Sequence, residues 1–508
     1  MADLKRINTA LISVFHKEGL GEMLELLTAS GVRLLSTGGT REFIEGLGYS
    51  CDAVEELTGY PSILGGRVKT LHPKVFGGIL CRRDLDTDRR QTREYAIPEI
   101  DLVVVDLYPF AATVSGGAGE AEVIEKIDIG GISLIRAAAK NFHDVAIVAS
   151  RGQYGTLLEI MRGHGEAATT LAERRLLARE AWAVTSAYDS HIFNYFDGGA
   201  RSHLRVAADG AKALRYGENP HQAGSFHGYF DAQFTQLHGK EISYNNLLDI
   251  DAAARLIGDV AEPAFAIIKH NNACGLAVRP VLADAFADAL AGDPVSAFGG
   301  VQVANREVDE ATALLMNKVF IEVCIAPGYT PRALEILQEK KNRIILVMHT
   351  PTLPLTELRS ALGGVLLQER DSRVECADDL HLVSREAMAE SQAKDLLLAN
   401  IVVKHSKSNA IVLVRDGMLL ASGVGQTSRV DALKQAIAKA REHGHSLQGA
   451  VMASDAFFPF ADCVQLAHEA GIAAVVQPGG SVRDQESIDY CNEHGMVMAM
   501  TGVRHFRH

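Results

Sequence analysis

Short apolar runs alternate with helical patterns over the first 150 residues, and this rhythm constrains the fold more than any other feature. The runs at residues 7–14, 32–35, 102–105 and 145–148 predict buried strands, and residues 20–30 predict a helix between the first two. Further helices are predicted from about Arg41 and, as one long element, over residues 171–196. Strands that alternate with helices in this way predict an α/β fold with a parallel sheet.

The length of 508 residues predicts more than one domain, because single cores rarely grow this large. The Gly198-Gly199 pair breaks the long helix, so the predicted domains are 1–198 and 199–508. The second domain contains a faint repeat: residues 265–270 and 400–405 each predict an apolar strand ending in Lys-His, and residues 293–300 loosely match 454–460. A duplicated α/β unit, with its second copy starting near 365–395, explains both pairs; chance similarity of short strings is the alternative.

The composition excludes several classes of protein. A net charge of −13 argues against a general nucleic-acid binder, which needs a basic footprint. No run of about 18 apolar residues occurs, so no membrane span is expected. The seven cysteines are dispersed without a CxxC pair, which suits a reducing compartment. The first residues lack the features of a signal peptide, and we expect a cytoplasmic protein.

Two polar segments of the first domain combine glycine with groups that bind anions. Residues 36–40, Ser-Thr-Gly-Gly-Thr, form a loop after a predicted strand, which indicates a phosphate site or, equally, an ordinary tight turn with a Thr cap. Behind Gly65-Gly66, Arg67 and Lys69 point the same way if the chain is extended. Two such cations suit an anionic substrate or a developing oxyanion, although a solvated basic turn is the commoner alternative.

Tyr108 follows the Val-rich strand at 102–105, where ligands of parallel sheets bind. Asp128 and Lys140 are further candidates, separated by 12 positions. On one straight helix their Cα atoms would lie about 18 Å apart. The two side chains therefore share a site only if Gly130-Gly131 turns the chain.

In the second domain the strongest local candidate is Lys269-His270, at the end of a predicted buried strand. Histidine transfers protons near neutral pH and lysine stabilises negative charge, although a lone Lys-His pair is more often structural than catalytic. The polar segment 214–222, with Arg215 and Tyr216, predicts either a surface loop or a site lining. Residues 423–428 imitate a dinucleotide fingerprint without its third glycine, and no HxE…PCxxC signature of zinc deaminases is present.

Taken together and in order, seven motifs resemble those of one family. They are STGGT from Ser36, GGRVKTLHP from Gly65, LYPF from Leu107, IDIGG from Ile127, RYGENPHQ from Arg215, SDAFFPF from Ser454 and the terminal RHFRH. Through them essentially the whole chain resembles the bifunctional purine biosynthesis family, which combines AICAR transformylase with IMP cyclohydrolase. The resemblance implies an N-terminal methylglyoxal-synthase-like parallel-sheet domain, two tandem cytidine-deaminase-like α/β units, and an intertwined homodimer with transformylase sites shared between subunits.

The resemblance implies that one reaction transfers a formyl group from the co-substrate 10-formyltetrahydrofolate to the amine of AICAR (aminoimidazole carboxamide ribotide). That amine is a poor nucleophile, so it needs a base, and the tetrahedral oxyanion needs a donor. By resemblance, His270 handles the amine proton, Lys269 assists the oxyanion or the leaving nitrogen, and Asn409 positions the reacting groups. The other residues implied for this site are the substrate-binding Arg215, Tyr216, Asp455, Arg504 and Phe506 and the supporting His508.

The second implied reaction closes the ring of formyl-AICAR and expels water to give IMP, with no metal required. The catalytic residues implied for it are Lys69, Tyr108, Asp128 and Lys140. The implied substrate-binding residues are Ser13, Lys17, Ser36, Thr37, Gly38, Gly39, Thr40, Arg67 and Thr70. Two positions depart from the family pattern: Phe15 replaces a Ser, which argues against a ligand contact there, and Ala273 replaces a Pro, which loosens the turn after His270.

Two functions of other classes are open alternatives to this interpretation. One is a nucleotide deaminase, against which the missing zinc signature counts. The other is a non-catalytic regulator whose first domain senses a phosphorylated metabolite. Formation of IMP from AICAR and 10-formyltetrahydrofolate would separate the enzyme from both.

Overall fold

The computed structural model describes residues 4–208, 210–349 and 354–508. Contacts along the chain divide it into two compact units, Met1–Ala208 and Asp209–His508. Each unit has its own sheets and its own hydrophobic core.

The first unit is built on a parallel sheet formed by the predicted apolar runs. Its strands are β1 (Lys5–Arg6), β2 (Thr9–Ser13), β3 (Arg33–Ser36), β4 (Asp52–Ala53), β5 (Leu102–Val105), β6 (Ala146–Val148) and β7 (Ala168–Thr169). Five of them form the parallel sheet in the order β4-β3-β2-β5-β6, and β1 pairs antiparallel with β7. Every residue of β5 and β6 is buried, as expected for parallel strands covered on both faces.

Helices connect these strands and cover the sheet. They are α1 (Leu20–Ala29), α2 (Gly38–Gly46), α3 (Val54–Thr58), α4 (Pro73–Leu80), α5 (Asp86–Glu94), α6 (Phe110–Ser115), α7 (Glu120–Glu125), α8 (Gly130–Lys140), α9 (Tyr154–His164) and α10 (Leu171–Asp197). The long α10 begins at a capping box between Thr170 and Glu173 and ends at Gly198, whose φ of 55° is left-handed. Helix α2 begins three residues before the predicted Arg41, because Thr37 is extended and forms the N-cap.

The second unit contains a long mixed sheet and two small antiparallel pairs. Its strands are β8 (Lys212–Leu214), β9 (Gly224–Phe226), β10 (Phe234–His238), β11 (Ala264–Lys269), β12 (Asn272–Val278), β13 (Val301–Ala304), β14 (Val323–Ala326), β15 (Ile344–Met348), β16 (Thr356–Ala361), β17 (Gly364–Glu369), β18 (His381–Leu382), β19 (Ile411–Arg415), β20 (Met418–Gly423), β21 (Val451–Ser454), β22 (Ala474–Gln477) and β23 (Val497–Met500). The long sheet has the order β10-β15-β14-β13-β11-β12-β20-β19-β21-β22-β23-β18. The pairs β8–β9 and β16–β17 lie outside it.

Helices pack on both faces of this long sheet. They are α11 (Tyr244–Gly258), α12 (Leu282–Gly292), α13 (Glu310–Met316), α14 (Pro331–Gln338), α15 (Glu390–Lys404), α16 (Arg429–Glu442), α17 (Asp462–Glu469) and α18 (Asp484–His494). Alternate residues of β11 face opposite cores: Ala266 and Ile268 face the core that includes α11 and α15, and Phe265 and Ile267 face the core of α12 to α14.

The long sheet consists of two halves with the same order of elements. Each half runs strand, helix, two antiparallel strands, helix, strand, helix, strand, helix, strand, from β10 to β15 and from β18 to β23. The pairing directions also match, with three parallel strands and one antiparallel outer strand in each half. The halves join where Ala277 of β12 pairs with Met418 of β20. The duplicated α/β unit predicted from the sequence is therefore present as a repeat of element order.

Both pairs of strings that suggested this repeat were matched wrongly. Residues 400–405 do not form a strand: they belong to the last turn of α15 and the residue that caps it. The counterpart of β11 is β19, which starts at Ile411, so Lys404-His405 does not correspond to Lys269-His270. Residues 293–300 precede β13, whereas 454–460 begin at the end of its counterpart β21, so these segments lie on opposite sides of equivalent strands.

Within the described ranges, no helix combines the length and the apolar character that crossing a bilayer requires.

Candidate functional site

A cleft of about 730 Å³ opens at the carboxyl ends of β2, β3 and β5 in the first unit. Parallel strands end together at this edge and helices begin there, so it is the edge at which such sheets bind ligands. The turn into α2, the segment around Arg67 and the chain from Tyr108 to the start of α8 line it. Ten predicted residues line the cleft: Ser13, Lys17, Thr37, Gly39, Thr40, Arg67, Lys69, Thr70, Tyr108 and Asp128.

The N-terminus of α2 presents polar groups to the cleft. Thr37 is almost fully buried, and its hydroxyl has no hydrogen-bond partner among the described residues. The first N–H groups of a helix also have no partner within the helix. A hydroxyl and free N–H groups at a helix start form a site suited to a phosphate oxygen.

Ser36 and Gly38, the two neighbours of Thr37, have structural roles in the sheet and the turn. The Ser36 hydroxyl is fully buried and donates to the carbonyl of Ile12 at 2.6 Å, so it ties β3 to β2 and does not reach the cleft. Gly38 also lies off the cleft wall and has a left-handed φ of 47°. A Cβ atom there would stand 3.9 Å from Lys69 Nζ. The Ser36 side chain is thus bonded inside the sheet and Gly38 supplies backbone shape, and direct substrate binding by these two residues stays a prediction.

Cations gather along one wall of the cleft. Lys17 Nζ donates to the Phe15 carbonyl at 3.2 Å and to the Thr40 hydroxyl at 3.1 Å. Burial, opposed by Asp106 and reinforced by the nearby Lys69, lowers the pKa of Lys17. Lys69 Nζ itself has no hydrogen-bond partner within the described part of the chain, whereas Arg67 forms an ion pair with Glu125, another lining residue. The wall thus combines Lys69, which has no ion-pair partner among the described residues, with Lys17 and Arg67, which are partly compensated.

Asp128 and Tyr108 face this wall. The Asp128 carboxylate accepts a hydrogen bond from the Gly131 N–H at 2.6 Å, which caps the start of α8. Burial raises the pKa of Asp128 above its ordinary value, although backbone N–H groups and Lys69 oppose this. Burial also raises the pKa of Tyr108, with a further contribution from the Asp128 charge. A carboxylate with a raised pKa beside an ammonium group is an arrangement that moves protons and stabilises an oxyanion.

Lys140 does not join this group within one copy of the chain. Helix α8 runs unbroken from Gly130 to Lys140, so the Gly130-Gly131 pair starts the helix and does not turn the chain back. Its 11 residues span about 16 Å. Asp128 lies just before the first turn, and Lys140 is exposed at the opposite end, away from the residues that line the cleft. Within one chain Lys140 thus lies apart from the residues that line the cleft, and its role in this site stays a prediction.

Phe15, which departs from the family pattern, lines the cleft. Its ring meets the Tyr108 ring edge-to-face, with centroids 5.5 Å apart, and Lys126 Nζ lies 5.6 Å from its centre. The carboxylate of Asp106 accepts hydrogen bonds from the N–H groups of Phe15 and His16 and lies 2.8 Å from His16 Nδ1. The buried carboxylate of Asp106 thus holds the segment that carries Phe15 in place.

The second unit places Lys269 and His270 at the turn between β11 and β12. His270 and Asn271 have left-handed φ values of 51° and 63°, as in a type I′ hairpin. The Asn271 N–H donates to Asp249 at 2.7 Å, which holds the turn, and the loosening by Ala273 stays a prediction. Lys269 Nζ donates to the Phe298 carbonyl at 2.8 Å, and the His270 side chain is exposed.

Asn272 joins this turn to the segment that carries Asn409. Its Nδ2 donates to the His270 carbonyl at 2.8 Å, and its Oδ1 accepts from the Lys407 N–H at 3.4 Å. Asn409 Nδ2 donates to the Gln426 carbonyl at 3.0 Å. The turn and the 407–409 segment therefore lie side by side, as expected if Lys269, His270 and Asn409 serve one reaction.

The C-terminal residues are attached to the same place. The Ser408 N–H donates to the Arg507 carbonyl and the Ser408 hydroxyl accepts from the Arg507 N–H, both at 2.9 Å. Arg504, Phe506 and His508 are exposed, and Arg504 lies over the Phe506 ring at 4.5 Å. The tail thus brings three predicted residues close to the 407–409 segment.

Two predicted contributions to this second site differ from expectation. Asp455 is fully buried and pairs with Arg429 at 2.7 Å, so its side chain shapes the interior and does not reach a ligand on the surface. Arg215 and Tyr216 follow β8, with the guanidinium 5.6 Å from the ring centre. Over the described residues, no hydrogen bond or ring contact joins this pair to the Lys269 turn.

Comparison with known proteins decides the family. The sequence profile of the AICARFT/IMPCHase bienzyme matches residues 138–439, and that of the MGS-like domain matches residues 19–133. Bifunctional purine biosynthesis protein PurH of Bacteroides thetaiotaomicron is 63% identical over 508 residues, which cover 100% of both chains. The chain belongs to the AICARFT/IMPCHase bienzyme family. The proteins of the same name from Parvibaculum lavamentivorans and Myxococcus xanthus are 45% and 47% identical, covering 100% and 98% of this chain and 98% and 100% of their own.

For this member of the bienzyme family, sequence reasoning missed several residues that build the first cleft. Asp106 directly precedes the LYPF motif, but only the fold shows that it fixes the Phe15 segment. Glu125 and Lys126 line the cleft from the end of α7, and no motif indicated them. The signal available in the sequence was the position of Asp106 directly after the buried strand β5.

The described ranges contain no group of three or more His, Cys, Asp or Glu side chains placed to hold a metal ion.

Proposed function

We propose that this chain catalyses two consecutive reactions: formyl transfer from 10-formyltetrahydrofolate to AICAR, and cyclisation of the resulting formyl-AICAR to IMP. Membership of the bienzyme family supports both reactions. The observation that carries the proposal is the first cleft, which combines the lysine Lys69, the half-buried carboxylate of Asp128 and the N-terminus of helix α2. These are the groups that a phosphorylated substrate closing a ring requires.

In the proposed cyclisation, the carboxamide nitrogen attacks the formyl carbon and a C–N bond forms. Asp128 accepts the proton that this nitrogen loses, since its raised pKa suits it to act as a base closer to neutrality. Lys69 Nζ stabilises the negative charge that develops on the formyl oxygen. That oxygen then takes the proton held by Asp128 and the proton of the formamide N–H, the C–O bond breaks, and water leaves as the C=N double bond of the purine ring forms.

The phosphate of the substrate is proposed to bind at the start of α2. The buried Thr37 hydroxyl has no partner among the described residues, and the first N–H groups of α2 have none within the helix. Arg67 would exchange its ion pair with Glu125 for the phosphate, because both residues line the cleft and remain largely exposed. Ser13, Lys17, Thr40 and Thr70 complete this wall.

The proposed formyl transfer uses the second unit. The amine of AICAR attacks the formyl carbon, His270 accepts the amine proton, and Lys269 stabilises the oxyanion. The tetrahedral intermediate then collapses, the bond from the formyl carbon to the folate nitrogen breaks, and that nitrogen takes the proton from His270. Asn409 and the tail residues Arg504, Phe506 and His508 would hold the substrates beside this pair. We propose that neither reaction uses a metal. Dialysis against a chelator before the assay tests this, because both reactions should then continue.

We also propose that the chain acts as a homodimer that completes the transferase site. The hairpin β16–β17 lies outside the long sheet and exposes apolar side chains on a structure that is marginal by itself. It is linked to the tail, since Arg359 donates to the His508 carbonyl at 2.9 Å. Its exposed apolar residues are Leu358, Leu362, Val365 and Leu366. Analytical ultracentrifugation should give a mass of two chains, and a monomer at assay concentrations would contradict this part of the proposal.

All seven cysteines are free thiols, which is consistent with the reducing cytoplasm that we propose as the location.

The function is tested by giving the purified chain AICAR and 10-formyltetrahydrofolate and measuring IMP. The variant His270→Ala should lose formyl transfer and keep cyclisation of supplied formyl-AICAR, whereas Lys69→Ala should do the reverse. In each variant, the reaction that is retained shows that the protein is folded. Absence of IMP formation above the uncatalysed rate in the unmodified chain would refute the proposed function. Loss of both reactions in a folded single variant would refute the assignment of two sites.

A further inference from the structure

The last five residues alternate between exposed and inward-facing side chains. Arg504, Phe506 and His508 are exposed, whereas His505 is buried and Arg507 is half-buried. This period of two is that of an extended chain lying on a surface. The exposed residues are those proposed to hold the substrates of formyl transfer, whereas His505 and Arg507 face inward.

His505 lies between two carboxylates, with 2% of its surface exposed. Its Nδ1 is 2.6 Å from Asp371 and its Nε2 is 3.1 Å from Glu375. Glu375 is itself buried and also accepts a hydrogen bond from Asn400 at 2.8 Å. The His505 N–H donates to the Asp455 carbonyl at 3.1 Å. The ring thus connects the tail to the segment that follows β17.

Arg507 makes the second attachment. Its guanidinium donates to the His405 carbonyl at 2.9 Å, and its backbone forms the two hydrogen bonds with Ser408. His405 is in turn bonded to Asp259 at 2.7 Å, so this contact reaches into the interior of the unit. Two inward anchors on alternate residues leave an extended chain little freedom to rotate.

We propose that His505 and Arg507 are positioning residues, which hold the tail in the register that presents Arg504, Phe506 and His508 to the substrates of formyl transfer. This inference rests on the proposed function of the second unit. A one-residue slip would turn the anchors outward and the binding residues inward, because the period is two. The anchors therefore determine which face of the tail the substrates meet.

The charge of His505 strengthens this attachment. Burial opposes a charged ring, but hydrogen bonds to Asp371 and Glu375 raise the pKa of His505 to about 9. The other charged groups nearby are Arg373, which lies 3.7 Å from Glu375, and Lys404, which acts on Asp371. The ring is therefore a cation at neutral pH and loses its proton as the pH rises through about 9.

The test compares His505→Gln with the unmodified chain. Glutamine can keep one hydrogen bond but carries no charge, so kcat/KM for formyl transfer should fall by about tenfold or more, with a higher KM for AICAR. Cyclisation of supplied formyl-AICAR should stay within about twofold, because the first unit is unchanged. The matched control is His381→Gln, the same substitution on an exposed edge strand beside β23, which should change neither reaction.

A pH profile separates positioning from a purely structural role. The ratio of unmodified to His505→Gln activity should be constant below about pH 8 and fall toward 1 above about pH 10. The reason is that residue 505 titrates in the unmodified chain and not in the variant. Asp371→Asn removes the half-exposed carboxylate and should move this alkaline limb to lower pH with a smaller loss of activity. This milder variant serves if His505→Gln does not fold.

Two results would overturn the inference while the unmodified chain still transfers formyl groups. One is unchanged kinetics in His505→Gln, and the other is a ratio that does not vary with pH up to about 10.5. If the unmodified chain itself transferred no formyl group, the proposed function would fail instead. The two failures are therefore distinguishable in one set of assays.

Discussion

The substitution Gly131→Ala should impair cyclisation without unfolding the chain. A Cβ atom at position 131 would stand 2.6 Å from Asp128 Oδ2 and 3.0 Å from its Cγ, closer than carbon and oxygen tolerate. The carboxylate must therefore swing away, and it then loses the 2.6 Å hydrogen bond from the Gly131 N–H. A hydrogen bond to a charged group is worth about 1.5–3 kcal/mol. If that interaction orients the base, cyclisation should fall about 10- to 100-fold.

The same change should lower the free energy of unfolding of the first unit by no more than about 2 kcal/mol. Alanine favours the helix over glycine by up to about 1 kcal/mol, which offsets part of the lost cap. The assay follows IMP formation from supplied formyl-AICAR, with formyl transfer by the same protein as an internal standard. Gly155→Ala is the matched control, because Gly155 lies inside α9 and an added Cβ would meet no atom within 4 Å. Full cyclisation activity in Gly131→Ala, with a displaced Asp128 carboxylate, would refute the role of Asp128 as the base.

Three further outcomes follow from the same geometry. Phe15→Ser removes the edge-to-face neighbour of Tyr108, a contact worth about 0.5–1.5 kcal/mol, so cyclisation should fall about two- to tenfold in kcat/KM, and unchanged kinetics would contradict this. The acid limb of the cyclisation pH profile should lie above the ordinary Asp value of about 3.9, because burial raises the pKa of Asp128, and Asp128→Asn should abolish that limb. Gly275→Ala places a Cβ 2.0 Å from a backbone oxygen of α12, so urea should unfold the second unit at a lower concentration, by about 2 kcal/mol or more in free energy, and an unchanged midpoint would show that α12 can shift.

The part of the first site that follows buried strands could be predicted from the sequence. The apolar runs at β2, β3 and β5 determine where the chain must turn, and ligands of parallel sheets bind at that edge. What spacing could not decide was the direction of side chains within each turn. Ser36 points into the sheet and Thr37 into the cleft, although both are hydroxyl residues one position apart. That alternation depends on where β3 ends.

Lys140 shows a different limit. The 12-residue spacing to Asp128 indicated that both could share a site only if the glycine pair turned the chain. Glycine pairs occur at turns and at helix starts, and here Asp128 caps the first turn of α8, which makes Gly131 part of the helix. The hydrogen bond from the Gly131 N–H to the Asp128 carboxylate favours the helix start over the turn, and composition does not reveal this bond.

The repeat in the second unit was inferred correctly from strings that do not correspond. Lys404-His405 ends a helix, and both side chains bind Asp259, with the Lys404 ammonium at 2.8 Å, so the resemblance to Lys269-His270 has no common structural cause. The true correspondence lies in the order and direction of strands, which β11 and β19 share although their sequences, Ala264–Lys269 and Ile411–Arg415, have little in common. Burial requires only that such strands be apolar. Packing therefore maintains the hydrophobic pattern, while the identities of the residues can differ. The turn after β11 carries His270 in a left-handed conformation, and the equivalent turn after β19 carries Asp416 at φ 51°. Backbone shape was thus retained at both turns while the side chain differs, which is why only one half of the sheet is expected to carry the proton-transfer chemistry of the transferase.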